Sequence, residues 1–212
     1  VNILPPKLKI PGHKTSTTAG LAVRNDIIAD VDAVIETVTT TVSGPVVVRA
    51  DGSQTLTATA DVTAEGKGDS LSIVTNNMKG GSEAHVLNSN ITTTSSGDVT
   101  VEAKNTAEMD AVNKTAMTGK EAGGAQLAFN AVGYDSQNVL LNAVNTLFNT
   151  DIGDANPVHA TAFIRNTPVD AAGDVTVKAS SDATIKANLT NETKAIVAAL
   201  YLVMSVSNPL PR

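Results

Sequence analysis

The feature that most constrains this chain is its likeness to itself. Gly97-Asp98-Val99-Thr100-Val101-Glu102-Ala103 matches Gly173-Asp174-Val175-Thr176-Val177-Lys178-Ala179, and the match continues with Ala107 against Ala183, Met109 against Ile185 and Ala111 against Ala187. Upstream, Ala84-His85-Val86-Leu87-Asn88-Ser89 faces Ala162-Phe163-Ile164-Arg165-Asn166-Thr167 and Ile91 faces Val169, with two extra residues in the first copy before its Gly-Asp. A weaker third copy is Gly44-Pro45-Val46-Val47-Val48-Arg49-Ala50, followed by Leu56 and Ala58 at the offsets of Met109 and Ala111. Gly68-Asp69-Ser70-Leu71-Ser72-Ile73 is a partial fourth echo. Self-similarity of this kind marks a repeat architecture, in which each unit buries its apolar face only against its neighbours.

Each full copy contains three short alternating runs, residues 84 to 91, 98 to 103 and 107 to 113 in the clearest example, joined by Asn-Ser or Gly-Asp punctuation. Alternation with a period of two is the strand signal. Three strands per unit predict one coil of a three-faced solenoid, with Val99 and Val101 inside and Thr100 and Glu102 outside. Only 2% of the residues are aromatic while 42% are hydrophobic, so the interior must be thin layers of Val, Ile, Leu and Ala. The recurring Ala positions predict places where the tube is too narrow for anything larger. Asn88 and Asn166 sit at an expected corner, either as plain turn residues or as residues that accept a left-handed backbone and hydrogen-bond to the coil above. The fold class expected is all-β: a parallel β-helix, or β-solenoid, over residues 1 to 212.

The copies are unevenly spaced, 53 residues from Gly44 to Gly97 and 76 from Gly97 to Gly173. An insertion is therefore expected over residues 112 to 158. Leu140, Ala143, Val144 and Leu147 recur at helical spacing behind Ser136, a good N-cap, which predicts a short amphipathic helix at about 136 to 148, lying across a coil or an open end. The apolar run from Ala195 to Val206 is too short for a membrane helix, which needs roughly 20 residues, and reads as buried strand.

The patterns Ala-x-Ile-x-Asn-Ser/Thr, Gly-Asp-Val-Thr-Val-x-Ala and Ala-x-Ile-x-Ala resemble the repeats of very large bacterial exoproteins of the filamentous-haemagglutinin and giant-adhesin type. Gly124-Ala125-Gln126-Leu127-Ala128-Phe129-Asn130, then Asn138 to Leu147 and His159 to Asn166, is similar to the recurring unit of those chains. The likeness covers most of residues 80 to 200. It implies a right-handed coil in a protein at the cell surface or in the extracellular matrix, where such repeats serve mostly as shaft, and it carries over no catalytic residue.

A search for chemistry leaves little. His13, His85 and His159 are the only histidines, and no two stand at metal-ligand spacing. Gly80-Gly81 and Gly123-Gly124 are not followed by the Gly-x-Asp of calcium-binding nonapeptides, so Asp98, Asp174, Asp151 and Asp154 are the remaining calcium candidates, against a simple turn role for Asp after Gly. Sugar cleavage on a β-helix would need paired carboxylates beside aromatic platforms. The aromatics are Phe129, Tyr134, Phe148, Phe163 and Tyr201, with no Trp. Thr39 to Thr41 and Thr92 to Thr94 cluster without a constant Thr-x-Thr coil period, which argues against an ice-ordering face. Asn90, Asn113, Asn188 and Asn191 open glycosylation sequons. A net charge of −6 disfavours nucleic acid and anionic membranes, and the lack of Cys removes disulfides and thiolate metal sites. No catalytic, cofactor-binding or metal residue is assigned, and no cofactor. The expectation is a non-catalytic structural or adhesive segment, extracellular or at the cell surface, acting as a rigid shaft. Partners would be a host or matrix glycan, or further copies through coil stacking. A self-assembling filament subunit and a carbohydrate-active β-helix are the rival readings.

Overall fold

A computed structural model describes residues 7–10, 17–65, 68–119, 122–133, 158–194 and 200–207. They form fourteen strands: β1 (Lys7–Ile10), β2 (Thr17–Ile28), β3 (Val31–Glu36), β4 (Thr39–Ser43), β5 (Val46–Glu65), β6 (Gly68–Lys79), β7 (Gly81–Leu87), β8 (Asn90–Thr94), β9 (Val99–Thr118), β10 (Ala122–Val132), β11 (His159–Arg165), β12 (Val169–Asp170), β13 (Val175–Lys194) and β14 (Leu200–Ser207). Among the described residues there is no helix. The expected helix at 136 to 148 lies outside them.

Every pairing is parallel, and the strands sort into four sheets, β1-β5-β9-β13, β14-β10-β6-β2, β11-β7-β3 and β12-β8-β4. The chain thus passes through the same four sheets in turn, once per coil: β2 to β5 make the first coil, β6 to β9 the second and β10 to β13 the third. This is the architecture of a parallel β-helix. The repeat alignment is the strand register. Val99, Val101 and Ala103 pair with Val175, Val177 and Ala179 above and with Val46, Val48 and Ala50 below. Ala84 pairs with Ala162, and Ile91 with Val169.

The expected coil of three strands is corrected to four. The runs at 98 to 103 and 107 to 113 are one strand, β9, because alternation passes unbroken through Lys104-Asn105-Thr106: the odd residues from Val99 to Met117 are all buried. Asn105 looked like a break yet points inward, its Nδ2 donating to the His159 carbonyl at 3.3 Å. The run at 84 to 91 divides at the left-handed Asn88 into β7 and the start of β8, and the strand that opens the coil, β6, has no Val-x-Val signature. The echo at Gly68 to Ile73 belongs to β6 and pairs with residues 17 to 22 and 122 to 127, so it repeats a different wall of the coil from Gly97 to Ala103. Residues 112 to 118 and 122 to 132, expected to begin the insertion, lie in β9 and β10. The extra length falls between β10 and β11, where the second coil needs only Gly80 to connect β6 to β7. Gly80 has φ +104, and a Cβ there would lie 2.1 Å from the Ala29 carbonyl oxygen, so no other residue makes this corner.

Three apolar clusters fill the tube. Val48, Ala50, Ala84, Val86, Ile91, Val99, Val101 and Ala103 fill the corner of three sheets. Leu56, Met78, Ala107, Met109, Val132 and Val158 form a second cluster. In the third, Ala58, Ala60 and Ala111 face Val23, Val74 and Ala128. Ala recurs there because two sheets face each other with only small side chains between them, the narrow section that the repeat predicts.

Candidate functional site

The corners between strands show what the punctuation residues do. Asn88 and Asn166 both have φ 50, and Asn166 Nδ2 donates to Asn88 Oδ1 at 3.2 Å. They therefore do both jobs, accepting the left-handed backbone and bonding coil to coil. The two extra residues of the second coil are Ser95 and Ser96, also left-handed at φ 55 and 61.

The calcium candidates divide. Asp98 Oδ1 accepts the backbone N–H of Asp174 at 2.8 Å, so this carboxylate joins one Gly-Asp corner to the next. The close approach also explains Gly173, since a Cβ there would lie 2.1 Å from Asp98 Oδ1. Asp151 and Asp154 lie outside the described residues. Among the described residues, no group of three His, Cys, Asp or Glu side chains could hold a metal ion.

His13 also lies outside the described residues. His85 projects outward from β7, with Nδ1 2.9 Å from Glu83 Oε1. Its ring stacks on Phe163 of the coil above at a centroid distance of 4.7 Å and an interplanar angle of 2°. Arg165 sits over Phe163, with Cζ 4.8 Å from the ring centroid. Because the rings cover one another along the stack, they turn edges rather than faces outward, which is poor geometry for a sugar platform. His159 lies against Gly81, where a Cβ would be 2.5 Å from its Nδ1. Phe129 is buried, Tyr201 falls in β14, and Tyr134 and Phe148 lie outside the described residues.

The outer face of the long sheet is charged, and the charges pair between coils. Glu102 of β9 lies 2.7 Å from Arg49 of β5 and 3.9 Å from Lys178 of β13, and Lys186 lies 3.6 Å from Glu108. Thr41 pairs with Thr92, but Asp170 follows in the third coil, so no two-dimensional Thr lattice forms. Asn113 is fully buried and bonded to Ser72 and to the Leu127 carbonyl, which closes its sequon to glycosylation in the folded chain.

The most organised polar feature lies inside, and sequence reasoning missed it. Asn25, Asn76 and Asn130 occupy one inward position of β2, β6 and β10 and form a buried ladder. Asn25 Nδ2 donates to Asn76 Oδ1 at 3.2 Å, and Asn76 Nδ2 to Asn130 Oδ1 at 2.9 Å. Each amide also donates across the tube to the long sheet, to the carbonyls of Thr57, Asp110 and Lys186 at 2.9, 3.0 and 2.6 Å. The signal was present in the spacing of 51 and 54 residues between these asparagines, which is the coil length at that wall.

One outer surface differs from the rest. Ile73, Thr75, Asn77 and Lys79 alternate with the inward residues of β6, as Phe129 and Ala131 do on β10, and all six are buried. The described strands packed on β6 and β10 are their sheet neighbours and the long sheet across the tube. Among the described residues, no helix is long and apolar enough to cross a membrane. Comparison of the chain with family models, with curated proteins and with solved structures finds no match.

Proposed function

We propose that this chain is a non-catalytic structural segment, a rigid shaft within a large secreted or cell-surface bacterial protein. The observation that carries this reading is where the polar side chains go. Asp98, Asn88, Asn166, Glu102, His85 and the ladder of Asn25, Asn76 and Asn130 are each engaged with an adjacent coil or with the opposite wall. A stack joined by its own side chains and by continuous parallel ladders resists bending and pulling along its length. The coil in this reading is right-handed, as the resemblance to giant adhesins implies.

The test is replacement within the intact parent protein. Exchanging these coils for the same number of coils from another β-helix should preserve the display of whatever lies beyond them, whereas a flexible Gly/Ser linker of equal residue count should not. Equal performance of the linker would refute the shaft. Specific binding of the isolated chain on a glycan array would instead favour the adhesive reading, and release of sugar products would favour the carbohydrate-active one.

A further inference from the structure

We propose that a single buried water molecule binds inside the tube where the second coil rests on the first, held by Ser82, Asn105 and Gln54 beside Gly52. The proposal rests on buried oxygens and not on the shaft reading. Ser82 Oγ, Asn105 Oδ1 and Gln54 Oε1 are each shut off from solvent, and none has a hydrogen-bond partner among the described residues. Ser82 and Asn105 are 0% exposed and Gln54 is 5% exposed. Buried polar groups are costly to leave unpaired, and those that find no protein partner are characteristically bonded to internal water. The orientation of both amides is fixed. Asn105 Nδ2 donates to the His159 carbonyl of the third coil at 3.3 Å, so the group cannot be turned over and Oδ1 is directed to Gly52 of the first coil. Gln54 is held in the same way, with Nε2 donating to the Ala29 carbonyl at 3.1 Å.

Gly52 completes the site. It shares an inward column with Asn105 and Ser181, so the two upper coils carry polar side chains where the first carries none. A Cβ on Gly52 would lie 2.5 Å from Ser82 Oγ and 3.1 Å from Asn105 Oδ1, so both oxygens crowd one point. One water spans about 5.6 Å between two partners, which is enough to join two oxygens placed in this way. Gln54 stands at the next inward position of β5. The chemistry selects water. Two of the three oxygens are amide carbonyls, which only accept, and the third is a hydroxyl, which can donate. A ligand that donates twice and accepts once satisfies all three. A metal cation could also use three oxygens, but all of these are neutral, and an uncompensated buried charge is far costlier than a buried dipole. The water ties β5 of the first coil to β7 and β9 of the second, two walls at once.

Oxygen-17 magnetic relaxation dispersion on the full chain counts waters that stay bound longer than the molecule takes to tumble, and it is blind to exchanging hydroxyl protons. Gly52→Ala, whose methyl takes the place beside Ser82 Oγ, should lower the dispersion amplitude by one water. An unchanged amplitude in a variant that keeps the parent's circular dichroism would overturn the proposal. Ser82→Ala supplies a test by sign that does not depend on how well the first variant folds. Removing a buried hydroxyl that lacks any partner relieves its desolvation and raises stability, whereas removing one bonded to water leaves that water and its other partners short of a bond. The urea midpoint of Ser82→Ala should therefore fall, and a midpoint unchanged or raised would contradict the water. Exchanging sodium for tetramethylammonium at fixed ionic strength should leave the parent's midpoint in place. A fall on removing sodium would put a metal cation in the site and overturn the proposal.

Discussion

Thr37 follows Glu36 on β3 as Asn88 follows Leu87 on β7, the same corner one coil lower. It adopts φ 57 with a β-branched side chain, where the other two coils place Asn. A left-handed conformation costs an ordinary residue roughly 1–2 kcal/mol, a cost Asn partly escapes. Thr37→Asn should therefore stabilise the chain by about 1 kcal/mol, read as a higher urea midpoint at unchanged slope. It would also extend the Asn166 to Asn88 bond by one coil. Asn76 is the opposite case. Replacing it by Ala removes the centre of the interior ladder and leaves buried acceptors at Asn130 Oδ1 and Asp110 O. The expected loss is about 3 kcal/mol, measured by chemical denaturation. The corner asparagines were legible because they stand beside strand-like runs. The interior asparagines were not, because a pattern of apolar and polar residues assigns Asn to the outside, and only their spacing reveals the ladder.

Within β9 the two faces differ in what they contribute. Glu102 has partners on both sides, but its own side chain is 21% exposed and those of Arg49 and Lys178 are 58% and 63% exposed. Solvent screens such pairs, so Glu102→Ala should cost less than about 1 kcal/mol and cost still less at high salt. Ala111, nine residues on and inward, has no room to grow between the long sheet and β6. Ala111→Leu should cost about 1–3 kcal/mol through overpacking, seen as a lower melting temperature, while Val112→Leu on the outward side should stay within about 0.5 kcal/mol. The Val-x-Val-x-Ala run made the first half of this strand easy to find. Its continuity with the second half was obscured by Asn105, a polar residue that is nonetheless buried and bonded inward. β6 was read as a copy of the wrong wall because a Gly-Asp start is common to both, and only the pairing with β2 and β10 separates them.

For the whole molecule, the stacking of like on like was legible because the columns recur almost unchanged. Val, Val and Ala occupy three successive inward positions in each coil of the long sheet. What the repeat concealed was the number of walls. Two of the four carry no repeated motif strong enough to align, since β2, β6 and β10 share mainly their inward Asn, and β8 and β12 are short. The uneven spacing set an insertion over residues 112 to 158, whereas residues 112 to 118 and 122 to 132 continue the walls of the coil as β9 and β10, and β10 contains no Val-x-Val marker to show it. The claim on which everything else depends is that three coils lie parallel and in register. Methyl-selective NMR tests it directly: nuclear Overhauser contacts should join the Val101 methyls to those of both Val48 and Val177, with none between Val48 and Val177, because Val101 lies between them. Contacts of Val101 confined to its own coil, or made to residues one or two positions out of these columns, would contradict the account.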